Sequence, residues 1–319
     1  MDKNVMSYES FKEIVTDNLA LYNKWGAGKF KNYDKKYPYI ANIEGKQQKD
    51  VVFDIIKSTD EEVEVDLFQK PHQFAHHLNS SQVMCYCFFR PMIEKDSQHP
   101  NYGLAKEKLV EFIQKMIGVN ISKGAKCQFE YEDSETMKSF KEIVKNKGKG
   151  EKSQFDFYIQ DGENEIYFEI KYTERSFGKW SNKKNNTKQS INNHIAYVGK
   201  GYKEMLMRSP FFTQDCKDSF TTMREDDFSK PDNLFNKHYQ LFRNALKADK
   251  VRYSVFIFPK GNPSINKEFE SFRKNLVNND HIIALYWEDL KSYMSQGFFK
   301  KYVGVLTTDK TNTSNKHIE

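Results

Sequence analysis

Apolar and polar positions alternate with a period of two along the stretch from Ser153 to Tyr172. Phe155, Phe157 and Ile159 alternate with Asp156 and Tyr158, and Ile166, Phe168, Ile170 and Tyr172 alternate with Glu165, Tyr167, Glu169 and Lys171. Such alternation predicts two strands, each with one buried face, and Asp161-Gly162 between them is a turn signal, so the pair is a β-hairpin. Period-3.6 stripes predict helices over 7–24 (Phe11, Ile14, Val15, Leu19, capped by Ser7 or Ser10) and over 102–117 (Leu104, Leu109, Phe112, Ile113, Met116, closed by Gly118). A further helix runs to Phe89 behind a Ser80-Ser81-Gln82 cap and ends at Arg90-Pro91. Helices are also expected over 192–207, 234–247 and 265–276, with a short one over 288–294. Strands are expected over 125–132, 251–258 and 281–287, and shorter ones over 51–56 and 62–67, with 26–50 irregular. Residues 133–150 form a charged insertion, and 310–319 carry no pattern. Helix, strand, hairpin, helices, strand predicts an α/β sandwich around a mixed central sheet.

The hairpin brings candidate chemistry with it. With residues 161–164 as the loop, Gln160 faces Glu165, Tyr158 faces Tyr167 and Asp156 faces Glu169, with Lys171 farther along the same face. Like charges directly opposite destabilise a sheet. A divalent cation held by both carboxylates would offset that cost.

Asp156, a short hairpin and Glu169-Ile170-Lys171 resemble the signature of the PD-(D/E)xK nuclease superfamily, with Phe155 where the superfamily's name has proline. Ser80-Ser81-Gln82 with Arg90-Pro91, the Tyr172-Thr173-Glu174 that follows the motif, and Tyr239-Gln240-Leu241-Phe242-Arg243 resemble a subgroup of bacterial restriction endonucleases. The resemblance is sharp at the hairpin and loose over about residues 75–290. It implies a restriction-endonuclease-like αβββαβ core that hydrolyses DNA with Mg²⁺, or with Mn²⁺ in its place. In that reading Asp156, Glu169, the Ile170 carbonyl and a glutamate of the preceding helix hold the metal. Glu111 is preferred over Glu107 for the helix position. Lys171 orients the attacking water, and Glu174 positions Lys171 or a neighbouring base.

Charge sharpens this picture. The net charge is +6, and the segment from Lys171 to Arg208 alone holds nine basic residues against Glu174 and Glu204, leaving −1 for the rest. A basic segment that starts at the candidate site suits a polyanion, so Arg175, Lys179, Lys183, Lys184 and Lys188 are the expected DNA contacts. Phe177 and Trp180 among them can stack on bases or anchor the loop. The 319 residues have room for a large core, and 15% aromatic content argues against wholesale disorder. The apolar run Val83–Phe89 is too short to span a bilayer, and the first ten residues lack a signal-peptide core, so the cytoplasm is the expected compartment. Cys85-Tyr86-Cys87, after His72, His76 and His77, lies inside an apolar run without zinc-site spacing, so these thiols are expected in the core.

Residues 1–100 are expected as an added region, 101–305 as the nuclease-like core and 306–319 as a polar tail. The expected function is a Mg²⁺-dependent DNA endonuclease of the restriction type, with a homodimer as the simplest way to cut two strands. A structure-reading repair or mobile-element nuclease, and a DNA-binding module that does not cut, are the alternatives.

Overall fold

The computed structural model describes residues 6–30, 34–60, 63–68, 70–133, 154–178, 202–222, 234–277 and 280–307. Among them seven strands form one sheet in the order β3-β4-β5-β6-β7-β8-β9. These are β3 (Ile93–Lys95), β4 (Gly103–Ala105), β5 (Lys126–Glu132), β6 (Gln154–Asp161), β7 (Asn164–Ile170), β8 (Arg252–Phe258) and β9 (Ile282–Tyr286). The β7–β8 and β8–β9 pairs are parallel and the others antiparallel, so the mixed α/β sheet expected from the sequence is present. A separate small sheet pairs β1 (Ala27–Lys29) with β2 (Lys36–Ala41).

The hairpin has the anticipated register: Gln160 faces Glu165 and Tyr158 faces Tyr167. Its loop is tighter than the four residues expected, because Asp161 pairs with Asn164 and only Gly162 and Glu163 remain between the strands. Gly162 takes the left-handed backbone (φ 59°) that so short a turn demands.

Two apolar cores sandwich the sheet. Phe157, Ile159, Ile166, Phe168, Ile170, Val255 and Ile257 enter the first, against α3 (Ser81–Phe89) and α4 (Glu107–Ile117). Phe256 and Phe258 enter the second, against the helices Tyr202–Arg208, Gln214–Thr221, Tyr239–Ala245 and Pro263–Arg273. Phe89 stacks on Phe157 at 4.1 Å between centroids, fixing α3 over the hairpin. The four cysteines are free and buried, and for Cys85 and Cys87 this is the core placement expected. No helix among the described residues is long and apolar enough to cross a membrane.

Several local expectations change. Residues 51–56 are not a strand but the middle of α2 (Gln48–Lys57), where Val51, Val52, Ile55 and Ile56 share one buried stripe. Four apolar residues in six fit either period, and helix length decides. The region 26–50 contains β1 and β2, and 63–67 form no strand. The helix expected from Tyr102 begins only at Glu107, because Gly103–Ala105 pairs with β3 and β5. The sheet thus reaches back to Ile93, before residue 101. The helix over 234–247 is interrupted at His238. Residues 134–153, 179–201 and 308–319, with the insertion, most of the basic loop and the tail, lie outside the described residues.

Candidate active site

The sheet is irregular at the expected position of chemistry. The β5–β6 ladder pairs Phe129 with Phe157 and Tyr131 with Phe155, a register that sets Glu130 opposite Asp156, but that pair itself is missing. Glu130 has φ +51°, the only non-glycine residue among those described with positive φ. Beyond this slip Phe155 leaves the face of Phe157 and packs on Tyr167, 4.7 Å between centroids. On the other side the β6–β7 ladder stops at Phe157–Phe168. There the Ile170 N–H donates to Oδ2 of Asp156 at 2.6 Å, so a side-chain carboxylate takes the place of a ladder carbonyl.

Glu169, on β7, is buried, with 4% of its side chain exposed. Gln240 Nε2 donates to its Oε1 at 2.6 Å, and Asn244 Nδ2 to its Oε2 at 2.8 Å. Gln240 and Asn244 stand four residues apart and therefore share a face of helix Tyr239–Ala245. Lys171 Nζ forms an ion pair with Glu169 Oε1 at 2.7 Å and reaches Gln240 Oε1 at 3.5 Å. The Lys171 carbonyl accepts from Trp287 Nε1 at 3.1 Å, which fixes the backbone of the motif.

Electrostatics ties these groups together. Burial, then Glu169 and Glu130 beside it, push Asp156 well above the usual carboxylate range, against the pull of Lys171 and the Ile170 N–H. Burial lifts Glu130 to about 7, opposed by a hydrogen bond from Gln82 and helped by Glu169. Burial works against the charge of Lys171, but Glu169, Glu174 and Asp156 outweigh it and raise its pKa. Lys171 is therefore an ammonium at neutral pH and cannot serve as a base.

A cleft of about 440 Å³ opens over this site, lined by Asp156, Glu130, Thr173 and Glu174 on one side and by the start of α3 on the other. Glu174 accepts the Tyr172 N–H at 2.6 Å, so its carboxylate turns the chain after the motif. Asn79 Nδ2 donates to Thr173 Oγ1 at 2.7 Å and ties the N-terminal region to the motif strand. Ser80 caps α3, and Gln82 beside it is the residue bonded to Glu130, so the Ser80-Ser81-Gln82 stretch forms a wall of the site.

Asp156, Glu169, Lys171 and Glu174 are thus gathered, and Glu130 joins them. Glu111 does not: it is half exposed and paired with Lys115 at 2.6 Å, while Glu107 pairs with Lys123. The carboxylate that stands beside Asp156 on the neighbouring strand is Glu130 of β5. Arg175 is exposed, 3.7 Å from Glu9 and over the ring of Tyr8. Phe177 is a core residue and so anchors its loop. Lys179, Lys183, Lys184 and Lys188 lie outside the described residues.

No three His, Cys, Asp or Glu side chains among those described form a ready-made metal cage. The donor chemistry nevertheless fits a hard cation. Burial, and the charge of Glu169 beside them, raise the pKa of both Asp156 and Glu130, a penalty on the ionised forms that a cation would relieve. Oε2 of Glu169 keeps a lone pair beyond its bond from Asn244, whereas Oε1 already accepts from both Gln240 and Lys171. Mg²⁺ is commonly held by one or two carboxylates together with substrate phosphate and water, not by a full protein cage.

A family model described as restriction endonuclease associating with ARP matches residues 21–308. No curated protein and no solved structure matches the chain.

Proposed function

Because the chain belongs to the family of restriction endonucleases associating with ARP, we propose that it is a metal-dependent DNA endonuclease of the PD-(D/E)xK type. The observation that carries this reading is the row Glu130, Asp156 and Glu169 across three adjacent strands, with the Lys171 ammonium paired to Glu169. Asp156, Glu169 and the Ile170 carbonyl would hold Mg²⁺, with Glu130 in the role expected of Glu111. When bound, that ion supplies polarisation of the scissile phosphate and charge for the leaving oxygen. Lys171, kept protonated, orients the attacking water and favours loss of its proton by its own positive charge. Gln240 and Asn244 hold Glu169 in one rotamer, and Lys171 is steered by Glu169 and Gln240. Glu174 sets the turn that points the chain after Lys171 along the cleft. Backbone phosphates then meet Arg175 and the basic segment beyond it, with Lys179, Lys183, Lys184 and Lys188 supplying non-specific affinity. Association with ARP, as the family's description has it, and pairing with a second copy to cut both strands complete the proposal.

A plasmid digest with and without Mg²⁺ tests it. Discrete fragments that require the metal support restriction-type cutting. A smear or junction-dependent nicks would indicate a structure-reading nuclease, and metal-independent binding without cuts a module that only holds DNA.

A further inference from the structure

The cleft over Asp156 has two chemically different ends. Glu130, Asp156 and Glu174 make one acidic. Phe30, Phe74 and His77 make the other aromatic, and all six residues line the same space, with Tyr8 of the same lining bonded to the Thr173 carbonyl beside Glu174. The rings are mutually braced: Phe30 meets His77 edge-on at 4.8 Å, and Phe74 meets His77 at 5.3 Å and His72 at 5.5 Å between centroids. Phe74 is 38% exposed, a large apolar ring left partly in water.

His77 is the second feature that needs explaining. It is 5% exposed, and its Nε2 is buried without a hydrogen-bond partner. Burial, with His76 and His72 adding to it, lowers its pKa to about 3, so the ring is a neutral imidazole with one donor and one acceptor nitrogen. Buried polar groups are nearly always partnered, and one that is not, on the wall of a cleft, points to a ligand that supplies the missing bond. The ligand must also offer flat π surface to the rings. A nucleobase has both; a phosphate or a metal ion can partner the nitrogen but offers the rings no flat π surface.

We propose that the aromatic end of the cleft receives one nucleobase taken out of the DNA stack, next to the phosphate to be cut. This rests on the nuclease reading and deepens it. A phosphate at the acidic end leaves its attached nucleoside to lie in the same cleft, and a cleft of this size accepts a single nucleoside rather than a stacked pair. Extrusion is cheapest where a base is mispaired or unpaired. The enzyme therefore favours DNA in which one base is already loose, and the N-terminal region that supplies Phe30, Phe74 and His77 takes part in choosing the substrate.

Binding in EDTA tests this without any need for cleavage. The probes are a fluorescein-labelled duplex with one central mismatch, its fully paired counterpart and the matching single strand, read by polarisation. Wild type should bind the mismatched duplex and the single strand about five- to a hundredfold more tightly than the paired duplex, the range expected of one base stacked on aromatic rings. Phe74→Ala should remove the preference, and Phe74→Trp, which restores a stacking surface, should keep it. Phe74 is partly exposed, so neither change threatens the fold. Equal binding of paired and mismatched DNA, or a preference that survives Phe74→Ala, would overturn the inference. If the paired plasmid is still cut with Mg²⁺ in that case, the nuclease reading stands and only the base site falls; failure to bind any of the three probes would defeat both.

Discussion

Gln240 donates through Nε2 to Oε1 of Glu169 at 2.6 Å, and its own backbone N–H reaches the Gly178 carbonyl at 3.2 Å. One residue thus links the motif strand, the helix Tyr239–Ala245 and the start of the basic loop. Gly178 has φ +138°, and a Cβ there would lie 2.4 Å from Gln240 Oε1. The backbone conformation calls for glycine, and a side chain there would displace the Gln240 amide.

Gln240→Ala should therefore reduce cleavage about ten- to a hundredfold, the usual effect of removing a group that orients a metal-holding carboxylate. DNA affinity should hardly move, because no phosphate contact is lost. Gly178→Ala should reproduce part of this defect by pushing the Gln240 amide aside. Single-turnover cleavage rates compared with polarisation binding would check both, and a Gly178→Ala enzyme as active as wild type would argue that Gln240 has no part in positioning Glu169.

Lys171→Ala should stop cleavage. It also leaves Glu169 buried with only the amides of Gln240 and Asn244 as partners. Removing one member of a buried ion pair typically costs about 3–5 kcal/mol, because the remaining charge is uncompensated. The variant should melt well below wild type in EDTA and recover more than wild type does when Mg²⁺ is added, since the cation replaces the lost charge. Thermal melts read this directly. Full activity in Lys171→Ala would remove the nuclease assignment.

Much of this site is legible in the sequence, for reasons that particular residues make plain. The turn at Asp161-Gly162 fixes the hairpin register locally, and so Asp156, Glu169 and Lys171 follow from alternation alone. Glu130 does not follow. The pairing of its strand with β6 spans the long charged insertion, so nothing local sets that register, and its positive φ is invisible in a run that alternates cleanly. Glu111 lies beside a clear apolar stripe and looked the better candidate, yet a salt bridge to Lys115 one turn away is all it makes. The spacing of Gln240 and Asn244 puts both on one helix face, but only the tertiary fold shows that Glu169 is what they meet. The helix Gln48–Lys57 was hidden for a different reason: a dense apolar run satisfies both periods.

Glu130 makes stability depend on pH in a defined direction. Its folded pKa of about 7 lies above the usual carboxylate value, so the fold prefers the protonated form. Below the unfolded pKa both states are protonated and nothing is lost. As the pH rises towards 7 the unfolded chain ionises first, and stability falls by at most about 3 kcal/mol. Glu130→Gln should thus raise the melting temperature at pH 8 and leave it nearly unchanged at pH 4, all in EDTA. A gain of equal size at both pH values would mean that packing, not charge, is responsible.

Asp156→Asn tests the carboxylate row on which the whole reading depends. Asp156 faces two like charges, Glu169 and Glu130, and burial adds to their effect. The protons of Asp156 and Glu130 belong to the two carboxyls together and not to one residue. Replacing Asp156 by Asn removes one charge but keeps an oxygen that can accept the Ile170 N–H, so the strand geometry survives. The apo protein should then melt at the wild-type temperature or above it at pH 8. On the proposed reading Mg²⁺ would bind only the ionised row and should stabilise wild type by linkage, about 2.7 kcal/mol at a hundredfold excess over Kd. Most of that shift should vanish in Asp156→Asn, and cleavage should end. Melts of both proteins with EDTA and with millimolar Mg²⁺ separate this from two unrelated acids on a strand, which would give no metal-dependent shift in either. A wild-type melting temperature indifferent to Mg²⁺ would count heavily against a metal site at Asp156 and Glu169.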